Sequence, residues 1–283
     1  MKIPFRIDLA GKVAVVTGGG GVLCSAFAKA LAECGASVAV LDLNLAAAEK
    51  IANEIVADGG KAIAVAANCL EKESLDAACA IVEEKLGVCD ILINGAGGNN
   101  PRATTANEYY EADDLPSPDK QDFFSIKPEG IKFVFDLNVT AAFLTTQVFA
   151  KGMAKKGSGN ILNISSMNAY RPLTKIPAYS AAKAAVSNFT QWLAVHFAGA
   201  GIRVNAIAPG FFVTAQNKSL LFNEDGTPTP RTEKILRNTP MNRFGESEEL
   251  LGGMLWLVSD EAAGFVTGII LPVDGGFSAY SGV

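Results

Sequence analysis

Runs of β-branched and aliphatic residues recur along the chain at Val13 to Thr17, Ser37 to Leu41, Lys61 to Ala66, Ile91 to Asn94, Asn160 to Ser165, Arg203 to Ala208 and Ile269 to Val273. They are short and largely apolar at successive positions, the pattern of strands covered on both faces of a parallel sheet. Between them, apolar residues recur at helical spacing over Leu23 to Cys34, Leu45 to Ala57, Lys72 to Leu86, Val134 to Lys155, Ala178 to Gly199 and Ser247 to Ser259. Ser247, followed by Glu248 and Glu249, reads as a helix start. This alternation, without a Pro/Ser-rich linker, predicts one α/β domain over residues 1–283: a doubly wound parallel sheet of about seven strands with helices on both faces.

Two segments break the rhythm. Asn99 to Gly130 holds four prolines (Pro101, Pro116, Pro118, Pro128) and seven acids against three bases, so an irregular surface excursion is expected. Phe211 to Gly245 carries GTPTPRTEKILRNTP beyond a strand end, where doubly wound folds bind ligands. Both are read as walls of one substrate pocket, against the plainer alternative of solvated insertions.

With 283 residues, 49% of them hydrophobic, the chain can bury a sizeable core. Its net charge of -5, from 24 Lys+Arg and 29 Asp+Glu, offers no field for nucleic acid or an anionic membrane, so the expected partner is a small molecule. No apolar run approaches the roughly 18 to 20 residues that span a bilayer, and MKIPFRIDLAGK lacks a hydrophobic h-region and cleavage site, so a cytoplasmic protein is expected. The five cysteines, Cys24, Cys34, Cys69, Cys79 and Cys89, are odd in number and form no CxxC pair; reduced thiols and no zinc are expected.

Chemistry enters at KVAVVTGGGGVLCSAFAKAL. A strand leads through Gly18 to Gly21 into a helix, and the next strand, SVAVLD, ends on Asp42. Glycines let backbone approach a pyrophosphate that the helix N-terminus favours, and a carboxylate about 20 residues on can accept the adenosine ribose hydroxyls. Against a 2′-phosphate ~4 Å away it would set repulsion of order 4 kcal/mol per charge pair at an effective dielectric near 20. With no Arg or Lys at Leu43, Asn44 or Leu45, NAD rather than NADP is predicted. A glycine-rich turn alone has a purely structural explanation.

Tyr179 and Lys183 stand four apart in YSAAK, so on a helix they share a face. A phenol of pKa ≈ 10 needs roughly 3 to 4 kcal/mol of charge stabilisation to fall by 2 to 3 units; Lys183 and a cationic nicotinamide are expected to provide it. Ser166 follows the fifth strand, where its hydroxyl can bond a substrate oxygen. On spacing alone, a half-exposed Tyr beside a solvated Lys explains the pair equally well.

Together TGGGGVL, Asp42, NGAG at Asn94 to Gly97, Asn138 in LNVTAAF, Ser166, Tyr179, Lys183, PGFFVT at Pro209 to Thr214 and the late VDGG resemble the short-chain dehydrogenase/reductase family over the whole chain. The resemblance implies a Rossmann domain and a homo-oligomer, dimer or tetramer, in which Tyr179 is the general acid/base and Ser166 positions the reacting oxygen. It implies that Lys183 tunes Tyr179 and holds the nicotinamide ribose, and that Asn138 anchors a water in the proton relay. Gly18, Gly20, Gly21 and Leu23 would meet the pyrophosphate region, Asn68 and Cys69 the adenine end, and Asn94, Ala96 and Gly97 the cofactor's length. Pro209, Gly210, Phe212 and Thr214 would embrace the nicotinamide carboxamide. Three positions depart from the family pattern: Val22 and Cys24 stand at fingerprint glycines, and Gly95 at the second Asn of NNAG. Gly21 is expected to restore the lost flexibility, with Cys24 small enough for close packing. Asn68 replaces a usual Asp.

The long excursion, with GGVLCS, GGNNPRATT and SSMNAYRPLTKIPAYSAAKAAVSNFTQWLAVHFA, resembles the mannonate oxidoreductase (fructuronate reductase) branch of that family. A hexuronate would present a carboxylate to Arg102, Arg171 or Lys175 and a hydroxyl to Asn168. Solvation or pairing with nearby acids explains those bases as well. Glu111, Asp113 and Asp114 are read as solvated rather than metal-binding, and His196 as a packing or interface residue. The apolar run FTQWLAVHF suits a sister subunit or the core. The leading reading is NAD-dependent interconversion of a sugar-acid alcohol and its ketone, with another polyol or keto substrate, or a non-catalytic NAD-binding redox sensor, as alternatives.

Overall fold

The strands β1 (Val13–Thr17), β2 (Ser37–Asp42), β3 (Lys61–Ala66), β4 (Ile91–Asn94), β5 (Gly159–Ile164), β6 (Ile202–Pro209) and β7 (Ile270–Val273) pair in parallel in the order β3-β2-β1-β4-β5-β6-β7. The computed structural model describes residues 7–114, 120–214 and 218–282, without the side chains of Asp113 and Ser219. The N-terminal residues 1–6, and 115–119 and 215–217 within the two irregular segments, with Pro116 and Pro118, lie outside the described residues.

Every residue of β1 is buried, because helices cover both faces. Ala14, Val16, Ile91 and Ile93 point to one core with Phe27, Leu31, Ile55 and Leu257. Val13, Val15 and Leu92 point to the other, with Leu75, Val82, Phe149, Met153 and Leu193. Helices α1 (Val22–Glu33), α2 (Leu45–Ala57) and α3 (Lys72–Lys85) follow the first three strands. Strand order reverses between β1 and β4, so their carboxyl ends, Thr17 and Asn94, flank the crevice where such sheets bind ligands.

The fourth predicted helix starts six residues earlier than expected. Pro128 occupies the first turn of α4 (Pro128–Phe135), which runs through a π-helical turn at Asp136–Thr140 into α5 (Ala141–Lys156). Together Pro128–Lys156 is long and apolar enough to cross a membrane by length and composition, unlike the sequence reading, but half of its most apolar window is buried inside the domain.

After α6 (Pro177–Phe197), the segment Phe211 to Gly245, for which no helix is predicted, contains α7 (Lys218–Leu221) and α8 (Pro230–Arg237). Thr229 caps α8, accepting from the Thr232 N–H at 3.3 Å, and Pro230 opens it; both signals stood in the sequence. The start predicted at Ser247 is shifted. Glu246 is the cap, in a reciprocal box with Glu249, and a 3₁₀ turn at Ser247–Leu250 precedes α9 (Leu251–Val258).

Candidate active site

At the switch point, Thr17 joins the two strand ends: its hydroxyl accepts from the Gly95 and Ala96 N–H groups at 3.1 and 3.2 Å and donates to the Ile93 carbonyl at 3.3 Å. Beyond it Gly18 adopts φ +63, and a Cβ there would lie 3.1 Å from the Ala96 nitrogen. Gly21, the α1 cap, has an ordinary extended φ of -79. The expectation that Gly21 restores lost flexibility is therefore corrected: the left-handed turn falls on Gly18. The first main-chain i→i−4 bond of α1 is Ser25 N–H to the Gly21 carbonyl at 2.8 Å, and no side chain caps the helix. The N–H groups of Val22, Leu23 and Cys24 thus have no partner within the helix, which suits an anion.

Asp42 is fixed over this turn. One carboxylate oxygen accepts from the Gly20 N–H at 3.0 Å and the other from the Asn44 N–H at 2.9 Å. A Cβ on Gly20 would stand 3.1 Å from the first of these oxygens and 2.6 Å from the Ala47 Cβ. Bare backbone, an uncapped helix end and an anchored carboxylate fit the adenosine diphosphate part of a dinucleotide. Asn68 and Cys69 follow β3: the Asn68 side chain accepts from the Leu70 N–H at 3.0 Å, and burial pushes the Cys69 thiol up.

Asn94 is turned inward. Its amide donates to the Thr146 hydroxyl at 2.9 Å and to the Asn163 carbonyl oxygen at 2.8 Å, and Asn163 donates to the Thr190 hydroxyl at 2.9 Å. Its side chain therefore ties β4 to β5, α5 and α6, and the backbone of Gly95 to Gly97 continues beyond the strand end. Gly97 is the narrow point: a Cβ there would lie 2.8 Å from Asn138 Oδ1 and 3.2 Å from Lys183 Nζ.

The π-helical turn aims Asn138 at this strand end. Its Oδ1 accepts from the Gly98 N–H at 3.1 Å, and its Nδ2 donates to the carbonyls of Gly98 and Val134, both at 2.8 Å. The side chain thus clamps the backbone after β4 to the π-helical turn.

Ser166 follows β5 and is buried; its Oγ accepts from the Asn168 N–H at 3.2 Å. Tyr179 and Lys183 lie on one face of α6, which Ser165 pins to the strand end by donating to the Lys183 carbonyl at 3.2 Å. Lys183 Nζ donates to the Ile164 carbonyl at 2.7 Å and lies 5.6 Å from the centroid of the Tyr179 ring. Burial pushes the Tyr179 phenol up to about 12, with the Ser166 hydroxyl opposing the shift, and brings the Lys183 ammonium down to about 8, with Cys24 opposing. Desolvation sets the direction of both shifts. Two buried polar atoms nearby have no partner, Asn168 Oδ1 and Ser180 Oγ.

Pro209 and Gly210 end β6. The Gly210 N–H donates to the Val273 carbonyl at 2.9 Å, and a Cβ would strike Asp274, 2.6 Å from its Cα. Phe212 is buried and bridges to Gly245, with Thr214 two residues further along the same wall.

The three candidate bases diverge. Arg102 bonds Asn100 Oδ1 at 3.2 Å and stacks 5.0 Å over the Phe133 ring, and Arg171 reaches the Ser278 carbonyl at 3.2 Å. Only Lys175, at φ +70, faces the junction of the two irregular segments: the Thr105 N–H donates to its carbonyl at 2.8 Å. There Lys234 of α8 pairs with Glu108 of the excursion, tying the two walls together. Nothing local in the sequence marked Glu108, Arg231 or Lys234. Asp114 is spent within its own loop on Asn107 and the Glu111 N–H, and among the described residues no grouping of three His, Cys, Asp or Glu could hold a metal.

A family model for enoyl-(acyl carrier protein) reductases matches residues 22–278. An uncharacterized oxidoreductase of Haemophilus influenzae is 58% identical over 100% of this chain and 99% of its own length. The uncharacterized oxidoreductase UxuB of Bacillus subtilis is 54% identical over 99% of this chain and 100% of its own. A crystal structure with bound NAD, of a Haemophilus influenzae protein whose proposed assignment is D-mannonate oxidoreductase, superposes with a TM-score of 0.93 at 57% identity over 100% of both chains.

Proposed function

Because this chain belongs to the short-chain dehydrogenase/reductase family and is an oxidoreductase, we propose that it interconverts D-mannonate and D-fructuronate with NAD, using Tyr179 as general acid/base. The observation that carries this reading is the convergence of Ser166, Tyr179 and Lys183 at the carboxyl end of β5, with two unpaired buried polar atoms, Asn168 Oδ1 and Ser180 Oγ, beside them. Buried polar groups without partners are rare, and a polyhydroxylated substrate offers the donors they lack.

When bound, NAD supplies or accepts the hydride at its nicotinamide. The Gly18 to Leu23 turn would hold its pyrophosphate, Asp42 its adenosine ribose, Asn68 and Cys69 its adenine end, and Gly95 to Gly97 with Pro209 to Thr214 its nicotinamide end. Ser166 Oγ would hold the substrate oxygen, and Tyr179 would give it a proton as the ketone becomes an alcohol. At neutral pH the phenol carries the proton this direction requires. Lys183 stays charged below about 8, and its donors beyond the Ile164 bond would serve the cofactor ribose. Asp42 supports NAD over NADP for the repulsion described above.

Phe143, Phe189, Trp192 and His196 stack in a ladder along α5 and α6, with Phe143 and Trp192 exposed. We assign this ladder to contact with a second copy of the chain.

The test is NADH oxidation with D-fructuronate against a panel of ketoses and keto acids. Wild-type enzyme should prefer fructuronate. Tyr179→Phe should lose on the order of 10²- to 10⁴-fold in kcat while still binding NADH. Near-normal turnover by Tyr179→Phe would remove the mechanism, and preference for another carbonyl would remove the substrate.

A further inference from the structure

We propose that Lys175, Arg231 and Lys234 form the subsite for the substrate's carboxylate, and that Glu108 occupies this subsite as an internal stand-in until the substrate arrives. The inference rests on the sugar-acid reading above and specifies where its charged end is received.

Three separate elements carry these groups: Glu108 lies in the excursion after β4, Lys175 in the turn leading into α6, and Arg231 and Lys234 three residues apart on one side of α8. Lys234 Nζ donates to Glu108 Oε2, and the Thr105 N–H bond to the Lys175 carbonyl, at 2.8 Å, holds the excursion against that turn. Lys175 keeps a left-handed φ of +70, a conformation that costs a side-chain-bearing residue and persists only where surroundings enforce it. All three cations act on Glu108 and hold its carboxyl below the usual range, with the Lys234 bond the largest cause.

The charge count is unbalanced. Among the described residues, the bond from Lys234 to Glu108 is the one salt bridge that any of the three bases makes. Of the excursion's described acids, Asp114 and Glu111 are bound to Asn107. Three cations face one carboxylate, and a sugar-acid carboxylate matches Glu108 in charge and hydrogen-bonding geometry, so it can take the place of Glu108 among the same cations.

The position suits the chemistry. Lys175 precedes Tyr179 by four residues, and Pro177 starts α6 between them. A hexuronate whose carbonyl carbon is three carbinol carbons from its carboxylate would reach from the proton donor toward this cluster. The other two sequence candidates are engaged elsewhere, Arg102 on Phe133 and Arg171 on Ser278.

A plain latch joining the two walls is the competing explanation, and substrate charge separates the two. D-Fructuronate and its uncharged methyl ester share the reacting ketone, so their kcat/KM ratio isolates recognition of the carboxylate. For wild type we expect the acid to be preferred. Lys234→Met, at an exposed position, should cut that preference tenfold or more with an unchanged melting temperature, and Arg231→Met should act in the same direction. Glu108→Gln, by removing the internal competitor, should lower KM for the acid and leave the ester unaffected.

If Lys234→Met retains the wild-type preference, or Glu108→Gln raises KM for acid and ester alike, the residues are a latch and the subsite is overturned alone. A wild type that favours the ester or makes no distinction overturns the sugar-acid reading, and the subsite with it.

Discussion

Cys24 Sγ lies 2.2 Å from the point a Cβ on Gly95 would occupy, so the two positions cannot both carry bulk. Cys24 stands where relatives in the family place a fingerprint glycine, and Gly95 where they place an asparagine. The thiol of α1 fills the space that a side chain after β4 would need, and two apparent departures from the pattern are one exchange of volume across the switch point.

Gly95→Ala should therefore destabilise the protein by about 1–3 kcal/mol through overpacking, read as a lower urea midpoint. Adding Cys24→Gly should restore part of the loss, because the Thr17 carbonyl oxygen would still stand 2.7 Å from the new Cβ. In a double-mutant cycle the pair should couple by about 0.5–3 kcal/mol; additive effects would mean that the two sites do not share the space.

Cofactor choice should turn on Asp42. Repulsion of a 2′-phosphate at ~4 Å is about 4 kcal/mol at a dielectric near 20, before screening by salt. Asp42→Ser is expected to raise kcat/KM for NADPH relative to NADH at least tenfold, while weakening NADH through loss of the ribose acceptor and of the Gly20 contact. Equal discrimination in variant and wild type would mean that Asp42 does not face the ribose.

The strands were readable in the sequence because two-sided burial leaves stretches such as Val13–Thr17 uniformly apolar, so each predicted boundary falls within a residue or so of the observed one. The Tyr179 and Lys183 pair was readable for a similar local reason, the helical repeat that sets them on one face of α6. Helix α8 was missed because it buries little, with only Thr232 and Ile235 fully inside, so its cap carried the signal and its hydrophobic pattern did not. The fates of the basic residues were not readable at all. Arg171 meets a carbonyl 107 residues away, and Lys234 a carboxylate 126 residues away, pairings made by the sheet's topology rather than by any local pattern.

Beneath the site, Asn163 accepts from Asn94 and donates to Thr190, whose hydroxyl in turn donates to the Val186 carbonyl at 2.8 Å. Asn163→Ala removes the middle of this chain, where no water-facing side can compensate, since Asn163 is fully buried. The expected cost is about 1–3 kcal/mol for each polar group left without a partner, read by urea denaturation. A midpoint unchanged from wild type would show that the chain carries no stability.

The depressed Lys183 gives stability a pH dependence whose sign can be worked out. Burial lowers its ammonium to about 8, against about 10.4 for an unfolded lysine. Below pH 8 both states hold the proton, and folding bears the full cost of burying the charge. Between the two values the unfolded chain binds more protons than the folded one, so stability rises with pH across that window. The Tyr179 phenol, raised to about 12, works the other way but only above pH 10, where the unfolded chain begins to lose its phenolic proton first. Lys183→Met removes the first effect and leaves the second. From pH 7.5 to 9.5, wild type should therefore gain stability relative to Lys183→Met, by about 1–3 kcal/mol over the full titration. Other groups cancel in the difference between the two proteins. A gap that stays flat or narrows in the opposite sense with rising pH would mean that the ammonium is not desolvated at the Ile164 carbonyl.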